Sequence, residues 1–124
     1  MRSMVALVSL FVPALAWAKI DTTEKAMHCL TDGIAAKKDV KGCFTDAGWT
    51  NRDGGEGFVR QQARKGWSVN PDKAGPCCND KVLWAKIILK KGDKVVDEVW
   101  LIFDKDAAGE LKIKELTEKD PSKP

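Results

Sequence analysis

The chain has 124 residues, 21 Lys and Arg against 18 Asp and Glu, a formal charge of +3, and 44% hydrophobic residues. That length encloses one modest core and not a second domain with its own. Charges of both signs are interleaved without a basic stripe, which argues against a nucleic-acid binder that grips phosphates.

Residues 1–18 carry a single charge, Arg2, then an apolar run from Met4 to Ala16, and small residues on either side of Trp17. This three-part pattern is that of a secretory leader cut before Lys19. The run is short for a bilayer span and is interrupted by Pro13. An exported protein, periplasmic or extracellular, is therefore expected, with no membrane contact after cleavage. No Cys follows Ala18, so a lipid anchor is not supported. One domain then covers residues 19–118, and the polar tail 119–124 reads as flexible.

Asp21 or Thr22 can cap a first helix reaching about Lys38, with Ala26, Cys29, Leu30, Gly33 and Ile34 forming its apolar stripe. Gly33 is costly inside a helix, which points to close packing there. Asp39 can cap a second short turn through Phe44. Residues 45–50 read as a short strand or extended segment, and residues 51–55 as a turn. Residues 56–65 return to a helical pattern that Gly66 should stop. Residues 68–80 hold Asn70-Pro71, Gly75-Pro76 and two cysteines, and read as a long loop in need of a staple.

Residues 81–90 and 94–103 are rich in Val, Ile, Leu and Trp and flank Gly92-Asp93, which predicts an antiparallel hairpin. With Gly92-Asp93 as a two-residue turn, Lys91 faces Lys94, Trp84 faces Leu101, Ala85 faces Trp100 and Ile88 faces Asp97. Both faces of this hairpin are largely apolar and each calls for a cover. Helices can cover one; the curl of the sheet or a second subunit, in a homodimer through the sheet face, can cover the other. A third strand is expected over residues 110–116.

Four cysteines follow the leader: Cys29, Cys43, Cys77 and Cys78. In an exported chain an even number suggests disulfides. Adjacent Cys77 and Cys78 could join each other only through a strained ring. The simpler expectation is that each reaches a separate partner, with Cys29 and Cys43 available, though buried free thiols remain an alternative. Bridges over loops of this length contribute roughly 3–4 kcal/mol each. The spacing does not supply the Cys-x-x-Cys pairs of a structural metal site, and no metal or other cofactor is expected.

The order of helix, short helix, strand-like piece, helix and three-strand meander is that of an α+β domain. Several segments resemble the NTF2-like (cystatin-like) superfamily, the cone fold of SnoaL-like cyclases and ketosteroid isomerases. They are Asp39 closing the first helix, Cys43-Phe44-Thr45-Asp46 followed by Trp49, and Gly54-Gly55 before the third helix. The stretches from Lys94 through Glu98 to Phe103-Asp104, and from Gly109 to Ile113, complete the likeness, which spans residues 22–118. The resemblance implies a curved antiparallel sheet packed on a long N-terminal helix, with a pocket between them. The family's functional residues carry over poorly. Isomerase-like members place a general base just after the segment matched by Cys43 to Trp49, where this chain offers Asp53 beside two glycines. Their Tyr oxyanion donor has no counterpart, because the chain contains no Tyr.

Three residues qualify as weak catalytic candidates. Asp53 is one, although its position is also that of a solvated turn residue. His28 has Asp32 one helical turn on, an arrangement that orients an imidazole but is common on exposed helices. Asp97 is placed by the expected register among Val95, Val99, Ile88 and Trp84, where desolvation would raise a carboxylate's pKa, although Lys86 and Lys90 share that face and a plain cross-strand ion pair explains it equally well. A slip of one residue would put Glu98 there instead. Trp49, Trp67, Trp84 and Trp100, with Asp97, are the candidate lining of a ligand pocket, since indole offers a broad apolar face with one donor. Arg60, Arg64 and Lys65 form a basic group on one helix, suited to an anionic ligand or simply to solvent. The expected function is a non-enzymatic binder of a hydrophobic small ligand or a protein partner. The alternative is a lyase, isomerase or cyclase using one of the three candidate bases.

Overall fold

Thr22 opens the first helix. In the computed structural model, which describes residues 19–76 and 81–123, its hydroxyl accepts the Lys25 N–H at 3.1 Å. Helix α1, Thr23–Ala35, buries Thr23, Ala26, Met27, Leu30 and Thr31. It ends before the expected Lys38 because Lys37 takes a positive φ of 58° and the Lys38 N–H turns back to the Gly33 carbonyl. Val40 folds onto Gly33 in the space a Cβ would occupy, which is the close packing that this glycine suggested.

Asp39 then accepts the Lys41 N–H at 2.9 Å and starts a 3₁₀ turn, Lys41–Cys43. That turn sets Cys43 against α1, where it is bonded to Cys29 across a Cα–Cα distance of 5.9 Å. The expectation that Cys77 and Cys78 would take these two partners is thereby corrected. The chain reverses within 14 residues of Cys29, and the nearer cysteine occupies the site. Cys77 and Cys78 lie outside the described residues, as do residues 1–18, where a leader is expected.

Residues 45–50, expected as extended, form helix α2, Asp46–Thr50. The Thr45 hydroxyl caps it by accepting the Gly48 N–H at 2.9 Å, with Asp46 in the first turn. These are strong helix-start signals, and they decide this short segment. Gly48 lies directly on the backbone of residues 113 and 114, leaving no room for a side chain. Helix α3, Gly55–Lys65, stops at Gly66 as the sequence indicated.

The segment expected as a long loop contains a strand, β1, Ser68–Ala74. Strands β2, Leu83–Lys91, β3, Lys94–Lys105, and β4, Leu111–Thr117, follow in an antiparallel meander with spatial order β1-β2-β3-β4. Pro71 is tolerated because β1 is at the sheet edge and its pairing with β2 slips between Pro71 and Lys73. The architecture is α+β, a curved four-stranded antiparallel sheet with α1 packed against β1 and β2.

The β2–β3 turn forms where expected. Gly92 takes a φ of 62°, which a residue with a Cβ rarely adopts, and Lys91 faces Lys94. Beyond that point the register departs from expectation. Lys90 pairs with Val95 but Leu89 pairs with Asp97, so Val96 is an extra residue in β3. Ala85 therefore faces Leu101, Lys86 faces Trp100, Ile88 faces Glu98 and Trp84 faces Ile102. Because side chains alternate along a strand, this one-residue bulge exchanges the two faces of β3 relative to β2. Ala85, Ile87, Leu89, Val99, Leu101 and Phe103 now share the inner face and are buried with Leu30, Leu111 and Ile113. Trp84, Lys86, Ile88, Glu98, Trp100 and Ile102 share the outer one. A second irregularity, opposite Ile102 and Phe103, leaves Lys114 as an extra residue in β4.

Non-reducing peptide mapping of the purified protein should find Cys29 linked to Cys43. Replacing both by Ala should lower unfolding stability by about 3 kcal/mol, the value for a loop of this size. Recovery of either residue linked to the peptide carrying Cys77 and Cys78 would refute the pairing.

Candidate functional site

On the outer sheet face, Lys86 reaches across both neighbouring strands. Its Nζ is 2.8 Å from Glu98 Oε1 on β3 and 3.3 Å from Asp72 Oδ2 on β1, and stands 5.4 Å from the centre of the Trp100 ring. The hydrogen bond with Glu98, ahead of that with Asp72, holds the Lys86 ammonium above its ordinary pKa. Glu98, not Asp97, thus occupies the acidic place among Trp84, Ile88 and Trp100, and it is neutralised by a lysine.

The remaining candidates are scattered. Asp97 is half-buried beside the bulge and accepts the Glu98 N–H at 2.8 Å. His28 Nδ1 is 3.3 Å from Asp32 on an exposed side of α1. Trp49 packs against Phe44, with ring centres 5.3 Å apart. The Lys65 ammonium sits 4.2 Å over the Trp67 ring, so Lys65 leaves the basic group expected on its helix. Trp84 is 8% exposed, with Gly75 against its ring and Pro121 and Ser122 beside it. Asp120 accepts both the N–H and the hydroxyl of Ser122, which keeps its carboxyl below the usual range. The four tryptophans therefore do not converge on a common wall.

A cleft of about 600 Å³ opens elsewhere, between α3 and the paired ends of β3 and β4. Phe58, Val99 and Leu116 form its apolar floor. Around them stand Arg60, Gln61 and Arg64 from α3, Arg52 and Asp53 from the turn before it, and Thr117 and Glu118 from the end of β4. The helix makes this possible by its period: residues 57, 60, 61 and 64 fall on one side. Arg60 Nη2 is 3.7 Å from Glu56 Oε1, one turn away. Among the described residues, Arg52 and Arg64 have no such carboxylate partner. A smaller recess continues from Arg52 and Asp53 to Gly48 and Lys114.

Of the three catalytic candidates, only Asp53 borders this cleft, and it is exposed. Arg60 and Arg64 were recognisable as a helix group. Arg52 and Phe58 were not assigned to the site, because nothing local reveals that the turn before α3 meets the end of β4. Among the described residues no cluster of three or more His, Cys, Asp or Glu could hold a metal ion. No described helix is long and apolar enough to cross a membrane. No protein-family model, curated protein or solved structure matches the chain.

A lysine stabilised in its charged form contributes stability that is complete below its unfolded pKa, ordinarily 10.5, and is lost as pH climbs through the higher folded value. Urea unfolding should therefore show the same penalty for Lys86→Gln at pH 7 and pH 9. That penalty should shrink at pH values above 10.5. A penalty that grows with alkalinity would show that the ion pairs are not its source.

Proposed function

We propose that this chain is an exported, NTF2-like binding domain without catalytic activity, which takes a hydrophobic small molecule into the cleft between α3 and the β3–β4 ends. The observation that carries this reading is the floor of Phe58, Val99 and Leu116 inside a polar rim. Small-molecule sites are typically concavities of roughly 300–1,000 Å³; about 600 Å³ falls within that range, and the lining here is more polar than in most such sites. Export draws support from the leader pattern and from the Cys29–Cys43 bridge, a bond favoured in oxidising compartments. The family assignment draws support from the order of elements and from a curved meander laid over α1. Among the described residues, three of the seven polar or charged residues lining the cleft are exposed arginines, groups better suited to holding a ligand than to moving its protons.

Titrating the protein with 1-decanol while recording amide spectra should shift the signals of Phe58, Val99 and Leu116 together. Phe58→Ser should weaken that binding by about tenfold, the equivalent of losing part of a buried aromatic contact. Shifts confined to Trp84 and Trp100 on the outer face would contradict this site.

A further inference from the structure

We infer that the ligand of this cleft is a monoanion, a single carboxylate carried on an apolar body, held by the guanidinium groups of Arg52 and Arg64. The inference rests on the binding reading above and narrows its ligand class. Three guanidinium groups border the cleft, from Arg52, Arg60 and Arg64, against two carboxylates, Asp53 and Glu118. Arg60 already has Glu56 at 3.7 Å. Arg52 and Arg64, from the turn and from the last part of α3, have no carboxylate partner among the described residues and border the cleft from separate elements.

A guanidinium presents paired N–H donors in a plane that matches the two oxygens of a carboxylate, and it keeps its charge at any physiological pH. The apolar floor beside these groups would take the rest of the molecule. The same lining disfavours other charge types. A cation would meet Arg52 and Arg64, which have no carboxylate partner among the described residues. A polyanion, such as an acidic peptide, would bring further negative charge against Asp53 and Glu118. The two oxygens of one carboxylate match the two guanidinium groups, Arg52 and Arg64, that have no carboxylate partner among the described residues.

Calorimetric titration with decanoate, 1-decanol and decyltrimethylammonium, each below its micelle-forming concentration, separates head-group charge from chain burial. Decanoate should bind about tenfold more tightly than decanol, and decyltrimethylammonium most weakly. In the double variant Arg52→Gln, Arg64→Gln, decanoate should fall to the affinity of decanol, while decanol itself is unchanged. Decanol binding as tightly as decanoate, or both weakening equally in the variant, would overturn the anion inference and leave the cleft reading intact. A pentaglutamate peptide binding more tightly than decanoate would overturn it in favour of an acidic protein partner. Failure of all three ten-carbon probes to bind would remove the cleft reading and the inference together.

Discussion

Between Leu89 and Lys90 of β2, the facing strand carries one residue more than the pairing needs. Everything that the sheet presents on its two sides depends on where that residue, Val96, is absorbed. With the bulge, Ala85, Ile87 and Leu89 meet Leu101 and Val99 beneath α1 and share one dry layer. Without it, Ala85 would face Trp100, and the carboxylate of Glu98 would fall on the side of Ile87 and Leu89. The bulged pairing instead leaves Glu98 on the outer face with Lys86 and brings the half-buried Asp97 opposite Leu89, next to the bulge.

The same offset explains why the tryptophans fail to make a pocket. Trp84 and Trp100 share the outer face, where Lys86 lies between them and their cover comes from Gly75, Pro121 and the charged groups of neighbouring strands. Trp49 and Trp67 belong to the helical side, each against its own local partner. The concavity instead arises where α3 leaves the sheet. Its walls come from three separate parts of the chain, which accounts for its mixture of arginines and a small apolar floor.

Much of the fold was legible where a signal is local. Thr22 as a cap, Asp39 as the acceptor that turns the chain at Lys41, Gly66 as a helix stop and Gly92-Asp93 as a hairpin turn each act through atoms within a few residues. Strand β1 was hidden because Pro71 argues against a strand, and only an edge position makes it acceptable. Helix α2 was hidden by its length: five residues give too little periodicity to read. The bulge leaves no local mark at all, since Val95 and Val96 suit a strand equally well in either register. The site was legible in pieces only. Arg60 and Arg64 stand out on one helix, but their meeting with Arg52, Val99 and Leu116 is a product of topology.

The β2–β3 pairing is therefore the point at which the account is most exposed. Cross-strand backbone NOEs on the isotope-labelled protein would test it most directly. The expected contacts join Lys86 to Trp100 and Ile88 to Glu98, with Leu89 opposite Asp97. Contacts joining Ala85 to Trp100 and Ile88 to Asp97 would show an unbulged hairpin, and would contradict the division of faces on which both the core and the cleft rest.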